Sequence, residues 1–138
     1  MNWFVWALLS AFFAGITAIL AKVGVRDIDS NLAAAIRTVV ILVFAWGIAL
    51  MTNKEPLSAI GRRTWIFLIL SGIATGLSWL CYFRALQLGE VSKVAPVDKL
   101  SVVLVIALAA IFLHEHLTWH HWVGGTLIFA GAVVLAYV

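Results

Sequence analysis

Two ionisable side chains, Asp98 and Lys99, interrupt an otherwise apolar part of the chain. The sequence there reads "APVDKLS" and continues as "VVLVIALAAIFL". Arg37 lies inside a second apolar run, and Arg84 ends a third. Charges in such runs are costly and normally face a partner or a cavity. We predict that Arg37 and Lys99 attract an anionic group or set the local field, with Asp98 as their counter-ion or as a proton-coupling carboxylate. Arg84 is a further candidate site residue.

Two structural interpretations of these charges stay open. Arg and Lys side chains near helix ends can reach the lipid headgroups, which suits Arg84 best because it ends its run. The charges could also lock the second, third and fourth helices together through an ion pair of Asp98 with Arg37 or Arg84. Adjacent residues point about 100° apart on a helix. Asp98 and Lys99 are therefore not expected to satisfy only each other.

Aromatic side chains accompany the charges in the third apolar run, where Trp79 and Tyr82 precede Arg84. Lipid contact or packing is the expected role of these rings. The alternative, which makes Trp79 and Tyr82 candidate site residues, is a cavity wall that stacks a planar or cationic group.

Four histidines cluster with Glu115 in "LHEHLTWHHW". His116 and His120 have the i, i+4 spacing that suits a divalent metal on a helix. However, Trp119 and Trp122 mark this stretch as a loop at the membrane edge. We predict no metal site and no cofactor. The chain also lacks Ser-His-Asp, Walker, CxxC and HExxH arrangements, so we predict that it is not an enzyme.

The composition decides the solvent in which these residues lie. The 138 residues are 64% hydrophobic and 11% charged, against about 45–50% and about 25% in soluble domains. The mean hydropathy is +1.12. A small soluble domain leaves much of its surface exposed and could not hide this apolar area. Cys81 is the single cysteine, which excludes an intrachain disulfide and predicts a buried packing residue.

Five apolar segments are long enough to cross a bilayer, which takes about 17–25 residues. In lipid the backbone must satisfy its own hydrogen bonds, so each segment should be helical. We therefore predict an all-α membrane protein with one domain over 1–138. Ser30 or Asn31 is expected to cap the second helix. The predicted helices are 3–21, 32–52, 65–84, 91–113 and 122–138.

The Lys/Arg balance of the loops gives no clear orientation. Three cations fall on each side of the membrane, whereas loop cations normally set one orientation. We predict dual topology, in which copies insert both ways and pair antiparallel; a single orientation with another cause is the alternative. The cations are Lys54, Arg62 and Arg63 on the N-terminal side and Lys22, Arg26 and Lys93 on the other.

Helix length predicts the depth of the charges. From Arg37 to the end of its run at Met51 there are 14 residues. These span about 21 Å, short of the roughly 30 Å hydrocarbon core. The same count from Lys99 to Leu113 gives the same result. Arg37, Asp98 and Lys99 should therefore lie inside the bilayer, toward the side opposite the N-terminus.

Glycine pairs predict close helix contacts. Gly72 and Gly76 have GxxxG spacing in the third helix, which lets helices approach closely. Gly124, Gly125 and Gly131 in the fifth helix could form part of a dimer seam. Packing is the expected role of all five.

Three segments together resemble one half of an EamA-type transporter of the drug/metabolite transporter superfamily. "AAAIRTVVILVFAW" is similar to the second-helix pattern of the family, where Arg37 takes the place of its arginine. "YFRALQLGEVSKVAPV" is similar to its Tyr-Phe-x-Ala-Leu stretch. "AAIFLHEHLTWHHWVGGTLIFAGAVVL" is similar to its closing segment, with Glu115, Gly124 or Gly125, and Gly131 in the matching places. His114 departs from the usual glycine before Glu115, and the charges of "PVDKLS" depart from the usual start of the fourth helix.

The resemblance carries expectations of fold and function. Full-length members have ten helices in two inverted halves, and this chain corresponds to one half. It implies a multi-pass protein of the bacterial inner membrane that moves a small polar metabolite by alternating access, as an antiparallel homodimer. The alternative is an accessory subunit that pairs with another half-transporter, as small subunits of aminoarabinose-lipid flippases do. A passive channel is a third possibility, though no ring of repeated pore residues is visible. The expected partners are the substrate, the bilayer and a second copy, with no nucleic acid.

Overall fold

Helices make up almost all of the computed structural model, which describes residues 2–52 and 56–137. Within these residues there is no strand, and one short 3₁₀ turn lies at Leu57–Ala59. Lys54 and the predicted helix end at 138 lie outside the described residues. The helices are α1 (Trp3–Gly24), α2 (Ser30–Thr52), α3 (Arg62–Leu88), α4 (Val91–Asp98), α5 (Ser101–Phe112) and α6 (Trp119–Tyr137).

The prediction of five membrane spans in an all-α protein is confirmed. Five stretches of the described chain are long and apolar enough to cross a bilayer, and α4 and α5 together form the fourth of them, Val91–Phe112. The predicted bounds differ at the ends: α1 extends to Gly24, and α3 begins at Arg62 and ends at Leu88. Half of the residues added to α1 and α3 are polar or charged, so an apolar run underestimates how far the helical hydrogen bonding extends.

The chain divides into two compact units. We name Ala21–Gln87 the Arg37 unit, and Met1–Leu20 with Leu88–Val138 the Asp98 unit. The single domain over 1–138 stays a prediction. Each unit is described by itself.

The Arg37 unit buries large side chains at one end of its helices. Val25, Phe83 and Leu86 are buried, and Leu86 is fully so. They pack in the same unit as Ala33 and Ala34 at the start of α2, which are also buried. Small residues at the start of α2 let its backbone approach the neighbouring segments closely, which closes this core. Cys81, predicted to be buried, is exposed.

Asp29 caps α2, so the expected cap at Ser30 or Asn31 is wrong. The Asp29 Oδ1 accepts hydrogen bonds from the backbone N–H groups of Asn31 at 2.9 Å and Leu32 at 3.1 Å. A short carboxylate before the first turn can reach these otherwise unpaired donors, and its charge suits the positive helix end. Ser30 is buried in the first turn instead.

The Asp98 unit contains a break in the fourth span, where one continuous helix was predicted. Pro96 lies inside α4 and has no N–H to donate, and a proline ring clashes with the preceding turn. The backbone tightens after it: Lys99 donates to the Pro96 carbonyl at 3.1 Å and Leu100 to that of Val97 at 3.0 Å. These i to i+3 bonds are typical of a 3₁₀ turn. The break falls at Lys99–Leu100, about one turn beyond Pro96.

Small residues provide the buried positions of the Asp98 unit. Ala18, Gly125 and Ala132 are buried among its described residues. A Cβ built on Gly125 would lie 3.6 Å from the Ile106 Cδ1, so α5 and α6 approach closely there. An apolar groove of about 210 Å³ runs between the same two helices, with His121 and Trp122 among its lining residues.

Candidate functional site

Arg37 lies against the aromatic face of α3. Its guanidinium carbon is 4.8 Å from the centre of the Trp79 ring and 5.5 Å from that of Phe83. Trp79 and Phe83 are one helical turn apart, which places them on the same face of α3. Tyr82 is close enough to interact electrostatically with the guanidinium. The structure thus brings together Arg37, Trp79 and Tyr82 of the predicted site, and adds Phe83.

The Arg37 charge has aromatic neighbours, but none of the described carboxylates of its unit pairs with it. Residues 21–52 and 56–87 provide no ion-pair or hydrogen-bond partner for its guanidinium. The side chain is half-buried. Cation–π contacts are worth about 0.5–2 kcal/mol, against roughly 2.5–3.5 kcal/mol for placing Arg at the centre of a span. The rings therefore offset only part of the cost, and a strong positive field remains at the site.

Arg84 has a structural partner on its own helix. Its Nη1 donates to the Gln87 Oε1 at 2.9 Å. The Gln87 Nε2 in turn donates to the backbone carbonyls of Val25 at 3.2 Å and Ile28 at 2.7 Å. Arg84 is thus bound into the contact between α3 and the α1–α2 loop.

Lys22 completes this polar contact by donating from its Nζ to the Leu86 carbonyl. That carbonyl belongs to the last turn of α3, where helix oxygens lack intrahelical partners and cations are favourable. We call Lys22, Arg84 and Gln87 the α3 clamp. The sequence interpretation missed Lys22 and Gln87 as contributors. The available signal was a basic residue in the last turn of α1 and an amide in the last turn of α3.

Asp98 and Lys99 pair with each other. The Lys99 Nζ lies 3.3 Å from the Asp98 Oδ2, and the two side chains are 58% and 36% exposed. The expectation that adjacent residues would point apart assumed a regular helix. The end of α4 falls between them. Both groups remain accessible at the break in the fourth span.

A family comparison covers almost the whole chain. Residues 1–137 match the model of the EamA-like transporter family. The chain belongs to that family. Together with the five spans, this membership identifies a transporter and a multi-pass protein of the bacterial inner membrane. The resemblance carried by Arg37 and the closing glycine segment is confirmed.

Two kinds of relatives match this EamA-like chain. An "uncharacterized transporter in cobO 3′ region" from Sinorhizobium sp is 53% identical over 98% of this chain and 96% of its own length. A "probable 4-amino-4-deoxy-L-arabinose-phosphoundecaprenol flippase subunit ArnE" from Aeromonas salmonicida is 33% identical over 60% of this chain and 73% of its own. The protein of the same name from Pseudomonas fluorescens is 31% identical over 59% and 72%. No solved structure matches.

Among the described residues other than glycine, His114 alone has a positive φ, which is the conformation that favours glycine. Its φ is 52°, in the left-handed region. The backbone turns sharply there after α5, so that the Glu115 N–H donates to the Ala109 carbonyl at 3.2 Å. Glycine adopts this conformation at no steric cost. Glu115 therefore has a structural backbone role at the helix end.

The histidines do not assemble a metal site. No group of three His, Cys, Asp or Glu side chains that could hold a metal occurs among the described residues. His121 instead accepts a hydrogen bond on Nδ1 from the Thr118 N–H at 3.1 Å, at the start of α6. His120 packs its ring against Trp119, with the centroids 4.0 Å apart.

Four of the five predicted packing glycines have open space around them within this chain. A Cβ on Gly72, Gly76, Gly124 or Gly131 would meet nothing within 4 Å. Gly125 is the exception, because it contacts Ile106. A role of the other four in a dimer seam stays a prediction.

Proposed function

We propose that the protein carries a small polar metabolite across the bacterial inner membrane as an antiparallel homodimer that works by alternating access. The observation that carries this proposal is Arg37 within the second span on the Trp79 and Phe83 rings, without a carboxylate partner among the described residues of its unit. A transporter of this family needs a polar group inside the bilayer that the substrate can reach. Arg37 is such a group, and Trp79 and Tyr82 would form the wall beside it.

The length of a relative supports a dimer of halves. The Sinorhizobium transporter matches over 96% of its own length, so a second protein of the family is equally small. Many transporters consist of two inverted repeats with the substrate site at their interface. Two copies of a five-span chain inserted in opposite directions would supply both repeats. The equal division of loop cations favours such insertion.

Topology mapping tests the dimer. A reporter fused after Val138 should be detected on both faces of the membrane in comparable amounts. Adding two lysines beside Arg62 and Arg63 should shift most copies to one orientation and remove transport, and coexpression with a copy biased oppositely should restore it. A reporter on one face only, with full transport, would contradict the antiparallel pairing.

The alternative proposal is an accessory subunit that pairs with a different half-transporter. Similarity to proteins named as flippase subunits supports it. The purified chain alone in liposomes separates the two ideas. Transport by the single chain favours the homodimer, whereas transport that appears only with a second, different half favours the accessory role.

Asp98 is the proposed coupling carboxylate for the same cycle. Asp98→Asn should abolish uptake driven by a pH gradient while the protein still elutes as an assembled species. Asp27→Asn, which removes an exposed carboxylate from the α1–α2 loop, is the matched control and should leave uptake intact. Uptake by Asp98→Asn at the rate of the unmodified protein would remove Asp98 from the mechanism.

A further inference from the structure

The Trp79 and Phe83 faces are already occupied by a cation from the protein itself. The Arg37 guanidinium lies 4.8 Å from one ring centre and 5.5 Å from the other. Stacked aromatic faces are the feature with which proteins bind organic cations. A cationic substrate would have to displace Arg37 from both rings and tolerate its charge nearby. The filled aromatic surface therefore disfavours cations.

The same geometry leaves the hydrogen-bonding edge of Arg37 available. A guanidinium is planar and carries five N–H donors around its rim. The rings lie beneath the central carbon, and the donors lie around the rim of the group. No described residue of the Arg37 unit accepts a hydrogen bond from them. Donors in this fork arrangement match the two oxygens of a carboxylate or phosphate.

Tyr82 and the partial burial of Arg37 add to the preference of this site for a carboxylate or phosphate. Tyr82 lies within electrostatic reach of the guanidinium, and the Arg37 side chain is half-buried. Partial removal from water strengthens charge-assisted hydrogen bonds, because the effective dielectric falls. Stacking on two rings also fixes the orientation of the guanidinium before a ligand arrives. The site is thus prepared for an oxyanion.

We propose that the stacked Arg37 makes this transporter selective for an oxyanion, a carboxylate or phosphate on a small molecule, and excludes organic cations. This inference rests on the proposed function and names the substrate class of its site. Trp79 and Phe83 act as positioning residues that hold the guanidinium and stay covered by it. Removal of Arg37 alone should then uncover the rings and reverse the charge preference.

Three probes with the same phenyl ring test the charge preference: benzoate, phenyl phosphate and benzyltrimethylammonium. Binding to the purified protein in nanodiscs is measured by calorimetry at constant ionic strength. The unmodified protein should bind both anions at least about tenfold more tightly than the cation, a difference of about 1.4 kcal/mol. Arg37→Gln should lose anion binding and gain binding of benzyltrimethylammonium by about tenfold. Arg37→Lys should retain part of the anion preference, because the charge remains while the fork is lost.

Arg63→Gln is the matched control. Arg63 also lies over a ring, with its guanidinium carbon 5.8 Å from the centre of Phe67, but in the exposed first turn of α3. Its removal should change neither anion nor cation binding. An equal loss in Arg63→Gln and Arg37→Gln would overturn the proposal, because general surface charge would then explain the preference. Cation binding by the unmodified protein that equals or exceeds anion binding would also overturn it.

Two further experiments are needed. The first distinguishes a lipid headgroup from a dissolved solute as the oxyanion, and the second distinguishes failure of the selectivity from failure of the proposed transport. Nanodiscs with and without phosphatidic acid show whether a lipid headgroup competes with phenyl phosphate; competition assigns the oxyanion to a lipid, and its absence assigns it to a dissolved solute. Liposome flux of the same probes tests transport separately. Flux of the cation but not of the anions sinks the selectivity while transport stands. Anion binding with the Arg37 dependence above, but without flux by the single chain, supports the selectivity and points to the accessory role.

Discussion

The two units differ in the size of the side chains that they bury and in how far along the chain their polar contacts reach. The Arg37 unit buries Val25, Phe83 and Leu86, whereas the buried residues of the Asp98 unit are glycine and alanine. Large buried side chains make many dispersion contacts, and small ones make few. The Arg37 unit therefore buries the larger side chains, and truncation of one of them should cost more stability.

Polar contacts show the same contrast. In the α3 clamp, Lys22 and Gln87 reach carbonyls 59 to 64 residues away along the chain. In the Asp98 unit, Lys99 pairs with its neighbour and His121 bonds to a residue three positions away. Distant contacts tie helices to loops, while local contacts only shape the ends of helices. Long-range polar contacts are thus found in the Arg37 unit, whereas in the Asp98 unit α4 and α5 pack on α6 and the polar contacts named here are local.

Truncation of Leu86 should produce the largest effect. Leu86→Ala removes a fully buried side chain and should lower the free energy of unfolding by about 2–5 kcal/mol. Leu104→Ala on α5 is the matched control, because Leu104 is 63% exposed and should change stability by less than about 0.5 kcal/mol. Unfolding in mixed micelles of mild detergent and SDS, followed by circular dichroism, measures both. Equal losses would mean that the burial of Leu86 adds nothing to the stability of the Arg37 unit.

Loss of the clamp amide should have the next largest effect. Gln87→Ala leaves the Val25 and Ile28 carbonyls and the Arg84 guanidinium without their partner. We expect a loss of about 1–3 kcal/mol, the cost of unsatisfied groups that are partly buried. The same micelle titration gives the value.

Gln87→Glu distinguishes the two halves of that contact. It keeps an acceptor for Arg84 but removes both donors to the loop carbonyls. A stability between those of the unmodified protein and Gln87→Ala is expected. If Gln87→Glu matches the unmodified protein, the loop carbonyls contribute nothing, and the clamp reduces to a pair within α3.

Features that follow from composition along the chain could be predicted, and features that depend on distant contacts could not. Five apolar runs predicted five spans because a bilayer leaves helical backbone few alternatives. The charge of Arg37 stood out within its run for the same reason. By contrast, Lys22 and Gln87 find their partners only after α1 and α3 come together. No periodicity in the sequence encodes that contact.

Two local errors have local causes. Asp29, Ser30 and Asn31 all have side chains that cap helices well, and only the backbone geometry selects the first of them. The break at Lys99 was missed because hydropathy gives the length of a span and not the continuity of its helix. The pairing of Asp98 with Lys99 at this position was missed as well.

The smallest expected effect concerns the left-handed residue of the Asp98 unit. His114 has a φ of 52°, and a side chain in this conformation costs about 1–2 kcal/mol. His114→Gly should therefore raise the free energy of unfolding by about 1 kcal/mol, since the greater freedom of the unfolded chain takes back part of the gain.

His116→Gly is the matched control in the same loop, because the described chain has no other non-glycine residue at positive φ. It should stabilise nothing and cost up to about 1 kcal/mol. Equal shifts in both variants would mean that the backbone at His114 is unstrained, and the sharp turn after α5 would then need another cause. A gain in His114→Gly alone would show that the Asp98 unit contains a local strain that one substitution removes. The long-range contacts of the Arg37 unit, by contrast, join residues of different helices and loops, and no single substitution to glycine could replace them.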